Sequence, residues 1–139
     1  MSAVSKETSN QSSIKILIVD DEMNILRSLR RLLRHTGYTL IFTNVGQEAL
    51  DILNTEDIAV LLCDQNLPDI GGDKIIKESF ARNSDTVRLI MTGATNFEFL
   101  ENAINEGKIE HFIQKPWDKT KLLDTIYSSV AQYQKKKQQ

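Results

Sequence analysis

The chain has 139 residues, 26% of them charged, and a formal net charge of −2, which is an ordinary soluble globular composition for one domain. Its 17 basic and 19 acidic residues give no basic excess for direct binding to nucleic acid or to a membrane surface. The single cysteine excludes an intrachain disulfide framework and, with no apolar leader in residues 1–13, favours a cytoplasmic location.

The chain then alternates between strand-like and helical patterns. Residues 1–13 have too few apolar side chains to offset the entropy of ordering, so we expect a disordered N-terminal tail there. Predicted strands cover 16–19, 39–42, 58–63, 87–91 and 109–113. Predicted helices follow them near 25–33, 47–53, 73–81, 97–105 and 119–133. Five such units, with nearly continuous apolar strands, predict a parallel sheet covered on both faces in a domain over 14–134, followed by a polar tail at 135–139.

Polar side chains follow four of the predicted strands. Asp20 and Asp21 follow the first strand, Asp64 the third, Thr92 the fourth and Lys115 the fifth. Ligands of open parallel sheets bind at the carboxyl ends of the strands, so we expect these side chains to lie at one edge. Each residue type is common at strand ends by itself, but the ordered combination is hard to explain as coincidence.

The residue types in this group indicate a specific chemistry. Crowded carboxylates repel each other unless a cation intervenes, and Mg²⁺ prefers carboxylate oxygens together with water and phosphate oxygens. An ammonium group and a hydroxyl nearby suit the oxygens of a phosphoryl group. An aspartate can itself accept that group and form an aspartyl-phosphate. The combination therefore predicts Mg²⁺-assisted phosphoryl transfer onto a carboxylate.

These motifs resemble the receiver domain of two-component response regulators. The resemblance is carried by ILIVDDE at 16–22, LLCDQNLP at 61–68, IMTG at 90–93 and FIQKPW at 112–117, and it covers roughly residues 15–133. It implies an α/β, flavodoxin-like (βα)5 fold, doubly wound around a five-stranded parallel sheet in the order 2-1-3-4-5.

The resemblance implies a role in phosphoryl transfer for four residues. Asp64 matches the phosphoacceptor, which takes its phosphoryl group from a sensor histidine kinase or a phosphotransfer protein. Lys115 matches the lysine that pairs with a phosphoryl oxygen, and Thr92 matches the hydroxyl that turns toward the phosphoryl group. Phe112 stands where the family has an aromatic residue, often Tyr, that changes rotamer, so its switch would depend on packing alone.

The resemblance also implies the metal ligands. Asp21, Asp64 and the backbone carbonyl of Asn66 match the direct Mg²⁺ ligands, while Asp20 matches a residue that acts through water. The bond before Pro116 is expected to be cis, an isomer that proline makes accessible.

The main interpretation is thus a signalling module, which catalyses only its own phosphorylation and dephosphorylation and is not otherwise an enzyme. Its switching face would combine the fourth helix, fifth strand and fifth helix (α4-β5-α5 in the family), and a homodimer remains open. One alternative is a haloacid-dehalogenase-type phosphohydrolase, which needs an Asp two residues after its nucleophile; here Glu22 follows Asp20 at that spacing. The other is an adaptor without phosphorylation, which usually lacks one of the acidic, Thr or Lys residues; all are present here.

Overall fold

The computed structural model describes residues 5–7, 13–93, 97–106 and 108–138. The strands are β1 Ser5–Glu7, β2 Lys15–Val19, β3 Thr39–Thr43, β4 Val60–Asp64, β5 Val87–Thr92 and β6 His111–Gln114. The helices are α1 Met23–Leu33, α2 Gly46–Thr55, α3 Gly72–Arg82, α4 Phe97–Asn105 and α5 Lys119–Lys137. A 3₁₀ turn at Arg34–Thr36 extends α1, and Gly37 ends it with φ 85°, a left-handed conformation that favours glycine.

The strands form one sheet in the spatial order β1-β3-β2-β4-β5-β6. The five strands from β2 to β6 are parallel to their neighbours in this group. In the numbering of the predicted strands, their order is 2-1-3-4-5, so the predicted flavodoxin-like fold is confirmed.

The sixth strand differs from the sequence prediction. The disordered tail was expected to include residues 5–7, but the structure pairs β1 antiparallel with β3, with Ser5 opposite Phe42. An edge strand is held by backbone hydrogen bonds and needs no apolar side chains of its own, so the count of apolar residues does not reveal it. Residues 1–4 and 8–12 of the predicted tail lie outside the described residues.

Helices cover both faces of the sheet. On one face, α1 and α5 pack against a cluster that includes Ile16 and Ile18 of β2. On the other face, α2, α3 and α4 pack against a cluster that includes Leu17 and Val19 of the same strand. Successive side chains of a strand point to opposite faces, so a strand buried on both faces has to be apolar throughout. This leaves the strand ends as the positions for polar chemistry.

The last helix is longer than the sequence prediction. Residues 135–139 were expected to form a polar tail, but α5 continues to Lys137. Lys and Gln are good helix formers, lysines favour the negative end of a helix, and Lys136 Nζ lies 3.0 Å from Glu110 Oε1. None of the described helices is both long and apolar enough to span a membrane.

A buried charge stabilises the opposite, amino-terminal edge of the sheet. The side chain of Arg88 in β5 is 1% exposed, its Nε donates to the carbonyl of Lys108 at 2.6 Å, and its guanidinium lies 3.5 Å from the carboxylate of Glu110. Glu110 Oε2 also accepts the backbone N–H of Arg88 at 2.7 Å. Burial lowers the pKa of Arg88, and the charge of Glu110 opposes that change. Arg88 and Glu110 therefore form a largely buried ion pair that is supported by hydrogen bonds.

We predict that Glu110→Ala lowers the free energy of unfolding by about 3 kcal/mol, because it leaves a buried guanidinium without its carboxylate. Lys136→Ala is the matched control, since it removes the more exposed partner of Glu110 and should cost less than about 1 kcal/mol. Urea denaturation of the two variants and wild type measures both values. Equal losses in the two variants would contradict the assignment of Arg88–Glu110 as the buried pair.

Candidate functional site

The carboxyl edge of the sheet brings three carboxylates together. Asp20 and Asp21 directly follow β2, and Asp64 is the last residue of the neighbouring strand β4. Each offers a carboxylate oxygen, and these oxygens lie within 4.8 Å of one another. Asp20 and Asp64 are buried, whereas Asp21 is exposed at the rim. The structure thus assembles the acidic group predicted from the strand ends.

Lys115 follows the edge strand β6, and its side chain reaches into this acidic group. Its Nζ lies 2.7 Å from Asp20 Oδ2 and 3.1 Å from Asp64 Oδ1, so one ammonium group contacts both buried carboxylates. Its backbone N–H donates to the carbonyl of Thr92 at 2.8 Å, which fixes the start of the loop after β6. The bond between Lys115 and Pro116 is cis. Residues that follow β2, β4 and β6 therefore meet at one point.

The other predicted site residues lie in β5, in β6 and in the loop that follows β4. Thr92 ends β5 and is buried. Asn66 is exposed in the loop that follows β4. Phe112 lies in β6 with 40% of its surface exposed, beside Ile90 of β5 in the strand register.

The arrangement of strands and site matches a known family. Residues 16–127 match the family model of the response regulator receiver domain. The chain belongs to this family. Receiver domains are signalling modules of two-component systems, and the five parallel strands with their five helices have the fold of CheY-like receivers.

Among curated relatives, the hydrogenase transcriptional regulatory protein HoxA of Cupriavidus necator is 33% identical over 115 residues, which cover 83% of this chain and 24% of that protein. The transcriptional regulatory protein ZraR of Escherichia coli is 32% identical over 119 residues, which cover 86% of this chain and 27% of that protein. The chain therefore spans about a quarter of the length of these relatives.

Solved structures of receiver domains are similar over almost their whole length. The signal receiver domain of an HD domain-containing protein from Pseudomonas fluorescens has a TM-score of 0.85 at 27% identity, covering 94% of this chain and 98% of that one. A CheY-like response regulator receiver domain protein from Methanospirillum hungatei has a TM-score of 0.83 at 26% identity, covering 90% and 99%.

Burial and crowding set the electrostatics of this receiver site. Burial raises the pKa of Asp20, although the hydrogen bonds from Lys115 and from the backbone N–H of Glu22 oppose it. Burial also raises the pKa of Asp64, and the charge of Asp20 adds to the effect. Burial acts to lower the pKa of Lys115, but its hydrogen bonds and charge interactions with the two aspartates outweigh it and raise the pKa. The positive charge of Lys115 thus does not fully balance the negative charges of the ionised carboxylates.

The donor set fits a divalent cation such as Mg²⁺. The one ammonium group of Lys115 contacts two of the three carboxylates, which leaves an excess of negative charge at the edge of the sheet. All the nearby donors are hard oxygen atoms, the ligand type that Mg²⁺ prefers, and the exposed side chain of Asp21 leaves the group open to solvent. A cation here would relieve the repulsion that raises the carboxylate pKa values.

Sequence reasoning did not single out Asp69, which lies five residues after Asp64. Its carboxylate accepts the backbone N–H groups of Gly46 and Gln47, both at 3.0 Å, at the start of α2. The N-cap residue of α2 is Val45, whose side chain cannot accept a hydrogen bond. A helix start without a capping side chain was the available signal, but it does not say which distant residue supplies the cap.

We predict that Asp21→Asn raises the free energy of unfolding of the metal-free protein at neutral pH by about 0.5 kcal/mol, because it removes an exposed charge that repels Asp20 and Asp64. The gain should fade as pH falls through the raised pKa values of Asp20 and Asp64, since protonation removes the charges that Asp21 repels. Urea denaturation in a metal chelator, with Asp124→Asn as the exposed control, measures the effect. A loss of stability would contradict the repulsion.

Proposed function

We propose that this receiver domain accepts a phosphoryl group on the carboxylate of Asp64, with Mg²⁺ bound beside it, from a sensor histidine kinase or a phosphotransfer protein. The contact of Lys115 Nζ with both buried carboxylates, at 2.7 Å and 3.1 Å, is the observation that carries the proposal. It puts a fixed positive charge next to the carboxylate that would become phosphorylated. Phosphoryl transfer requires this positioning and charge neutralisation more than covalent chemistry from the protein.

The reaction follows from the donor groups around Asp64. An oxygen of the Asp64 carboxylate attacks phosphorus, a P–O bond forms, and the P–N bond to the donor imidazole breaks, with the electron pair leaving on that nitrogen. Lys115 then pairs with a phosphoryl oxygen, and the hydroxyl of Thr92 turns toward the same group. Asp21, Asp64 and the carbonyl of Asn66 would hold Mg²⁺, with Asp20 acting through water, and the ion would supply further charge neutralisation.

The environment of Asp20 supports Asp64 as the acceptor rather than the phosphohydrolase alternative. That alternative requires the first acidic residue after β2 to be the nucleophile. Asp20 is fully buried, and its two oxygens are engaged by the backbone N–H of Glu22 at 2.9 Å and by Lys115. The side chain of Asp64 is 8% exposed, and its Oδ1 lies 3.1 Å from Lys115 Nζ. Asp64 therefore retains some access to a donor, whereas Asp20 has none.

We predict that acetyl phosphate with Mg²⁺ adds about 80 Da to the wild-type protein and nothing to Asp64→Asn, because the amide lacks the nucleophilic carboxylate. Intact-protein mass spectrometry measures the gain. Asp73→Asn, at an exposed acidic position in α3, is the control and should label like wild type. Labelling of Asp64→Asn would refute the acceptor, and absence of labelling in every form would favour the unphosphorylated adaptor.

Phosphorylation would be read out on the surface formed by α4, β6 and α5, which corresponds to the switching face that the resemblance implies. Phe112 is partly exposed there and lines a cavity of about 320 Å³ together with Trp117 and Thr125. A ring at the edge of an open cavity has room to change rotamer, so movement of Thr92 toward the phosphoryl group can shift the packing of Phe112. A binding partner, or a second copy of the chain, would then distinguish the two states.

We predict that beryllofluoride with Mg²⁺ changes the emission of Trp117, the single tryptophan, because Trp117 shares the cavity with Phe112. Thr92→Val retains the side-chain shape but has no hydroxyl to turn toward the phosphoryl analogue, and it should lose most of the change. Thr55→Val, at the exposed end of α2, is the matched control. An undiminished change in Thr92→Val would contradict the switch.

A further inference from the structure

The loop Gln65–Gly71 connects β4 to α3 and contains Asn66, the residue proposed to offer its carbonyl to the metal. Hydrogen bonds fix the two ends of this loop. The backbone N–H of Gln65 donates to the carbonyl of Met91 at 3.0 Å, and the N–H of Gly72 donates back to the carbonyl of Gln65 at 3.1 Å. The base of the loop is therefore closed, and the position of its middle depends on other contacts.

Asp69 fastens the middle of the loop to α2. Its Oδ1 accepts the N–H of Gly46 and its Oδ2 accepts the N–H of Gln47, each at 3.0 Å. These N–H groups belong to the first turn of α2, where they have no partner inside the helix, and the helix dipole also favours a carboxylate there. Burial acts to raise the pKa of Asp69, but the backbone N–H groups outweigh it and lower the pKa.

The contact is close, and it is specific to the residues involved. A Cβ atom at Gly46 would lie 3.0 Å from Asp69 Oδ1 and 3.1 Å from Ile70 Cβ, so the approach of the loop suits a glycine at this position. Leu67 and Ile70 add apolar packing against the α2–α3 side of the core. The hydrogen bonds that Asp69 accepts from Gly46 and Gln47 thus join the middle of the loop to α2.

We propose that Asp69 is a positioning residue for the Mg²⁺ site, which acts by holding the Asn66 segment of the loop in its metal-binding arrangement before the metal arrives. The inference rests on the proposed function, because it needs Asn66 to be a ligand. Asp69 stands three residues beyond Asn66 and touches none of the acidic ligands. A loop that is already fixed loses less conformational entropy when the metal binds, and the affinity for the metal rises accordingly.

The test measures Mg²⁺ binding to the metal-free protein by titration calorimetry. Asp69→Ala should raise the Kd for Mg²⁺ about tenfold, the lower end of the effect of residues that support metal ligands. Asp69→Asn keeps one acceptor oxygen of two and should fall between Asp69→Ala and wild type. With acetyl phosphate, Asp69→Ala should need more Mg²⁺ for half-maximal labelling but reach the wild-type rate at saturation, because the reacting groups are intact.

Two further measurements separate positioning from a general loss of stability. Ala131→Gly, at an exposed site of α5, destabilises the protein through helix propensity alone and should leave the Kd for Mg²⁺ unchanged. Amide hydrogen exchange over residues 65–70 of the metal-free protein should accelerate in Asp69→Ala and not in Ala131→Gly. If Asp69→Ala has the wild-type Kd for Mg²⁺, or if this Kd rises equally in both variants, the inference about Asp69 is wrong. The proposed function is not affected by that outcome. Absence of Mg²⁺ binding by wild type overturns the proposed function together with this inference.

Discussion

The contact of one ammonium group with two buried carboxylates is the interaction on which the site depends. Lys115 Nζ contacts Asp20 and Asp64, although these residues lie 95 and 51 positions away along the chain. The single positive charge holds the two buried carboxylates close together, but it does not neutralise them and Asp21 as well. Burial raises the pKa of both groups, and the negative charges of the neighbouring aspartates add to this effect. The folded edge therefore carries a charge that favours binding of a cation.

The sheet brings these groups to its carboxyl edge because the interiors of β2 and β4 are apolar. Both faces of these two strands are covered by helices, and Asp20 and Asp64 come at their carboxyl ends. Gly72, the first residue of α3, lies close to the end of β4. A Cβ atom there would collide with the backbone carbonyl of Asp64, so a glycine lets α3 begin directly against the strand that ends in Asp64.

The sequence was sufficient to predict features that depend on local periodicity and on strand ends. The alternation of strands and helices predicted the parallel sheet, and the resemblance to receiver domains predicted the order of its strands. The residues after each strand predicted the cluster of Asp20, Asp64 and Lys115. The features that were missed depend on distant partners. β1 is held by backbone pairing with β3, which leaves no apolar pattern. Asp69 caps a helix that begins 23 residues earlier, and no local motif marks that contact.

Buried charges have different roles at the two edges of the sheet. At the amino-terminal edge, Arg88 meets Glu110 and backbone carbonyls, so its charge is balanced inside the protein and contributes to the stability of the fold. At the carboxyl edge, the negative charges of Asp20 and Asp64 exceed the single positive charge of Lys115. A cation would therefore stabilise this unbalanced group, whereas it would not stabilise the balanced pair. The deficit of positive charge at one edge, rather than burial itself, distinguishes the candidate site from the part of the sheet that only stabilises the fold.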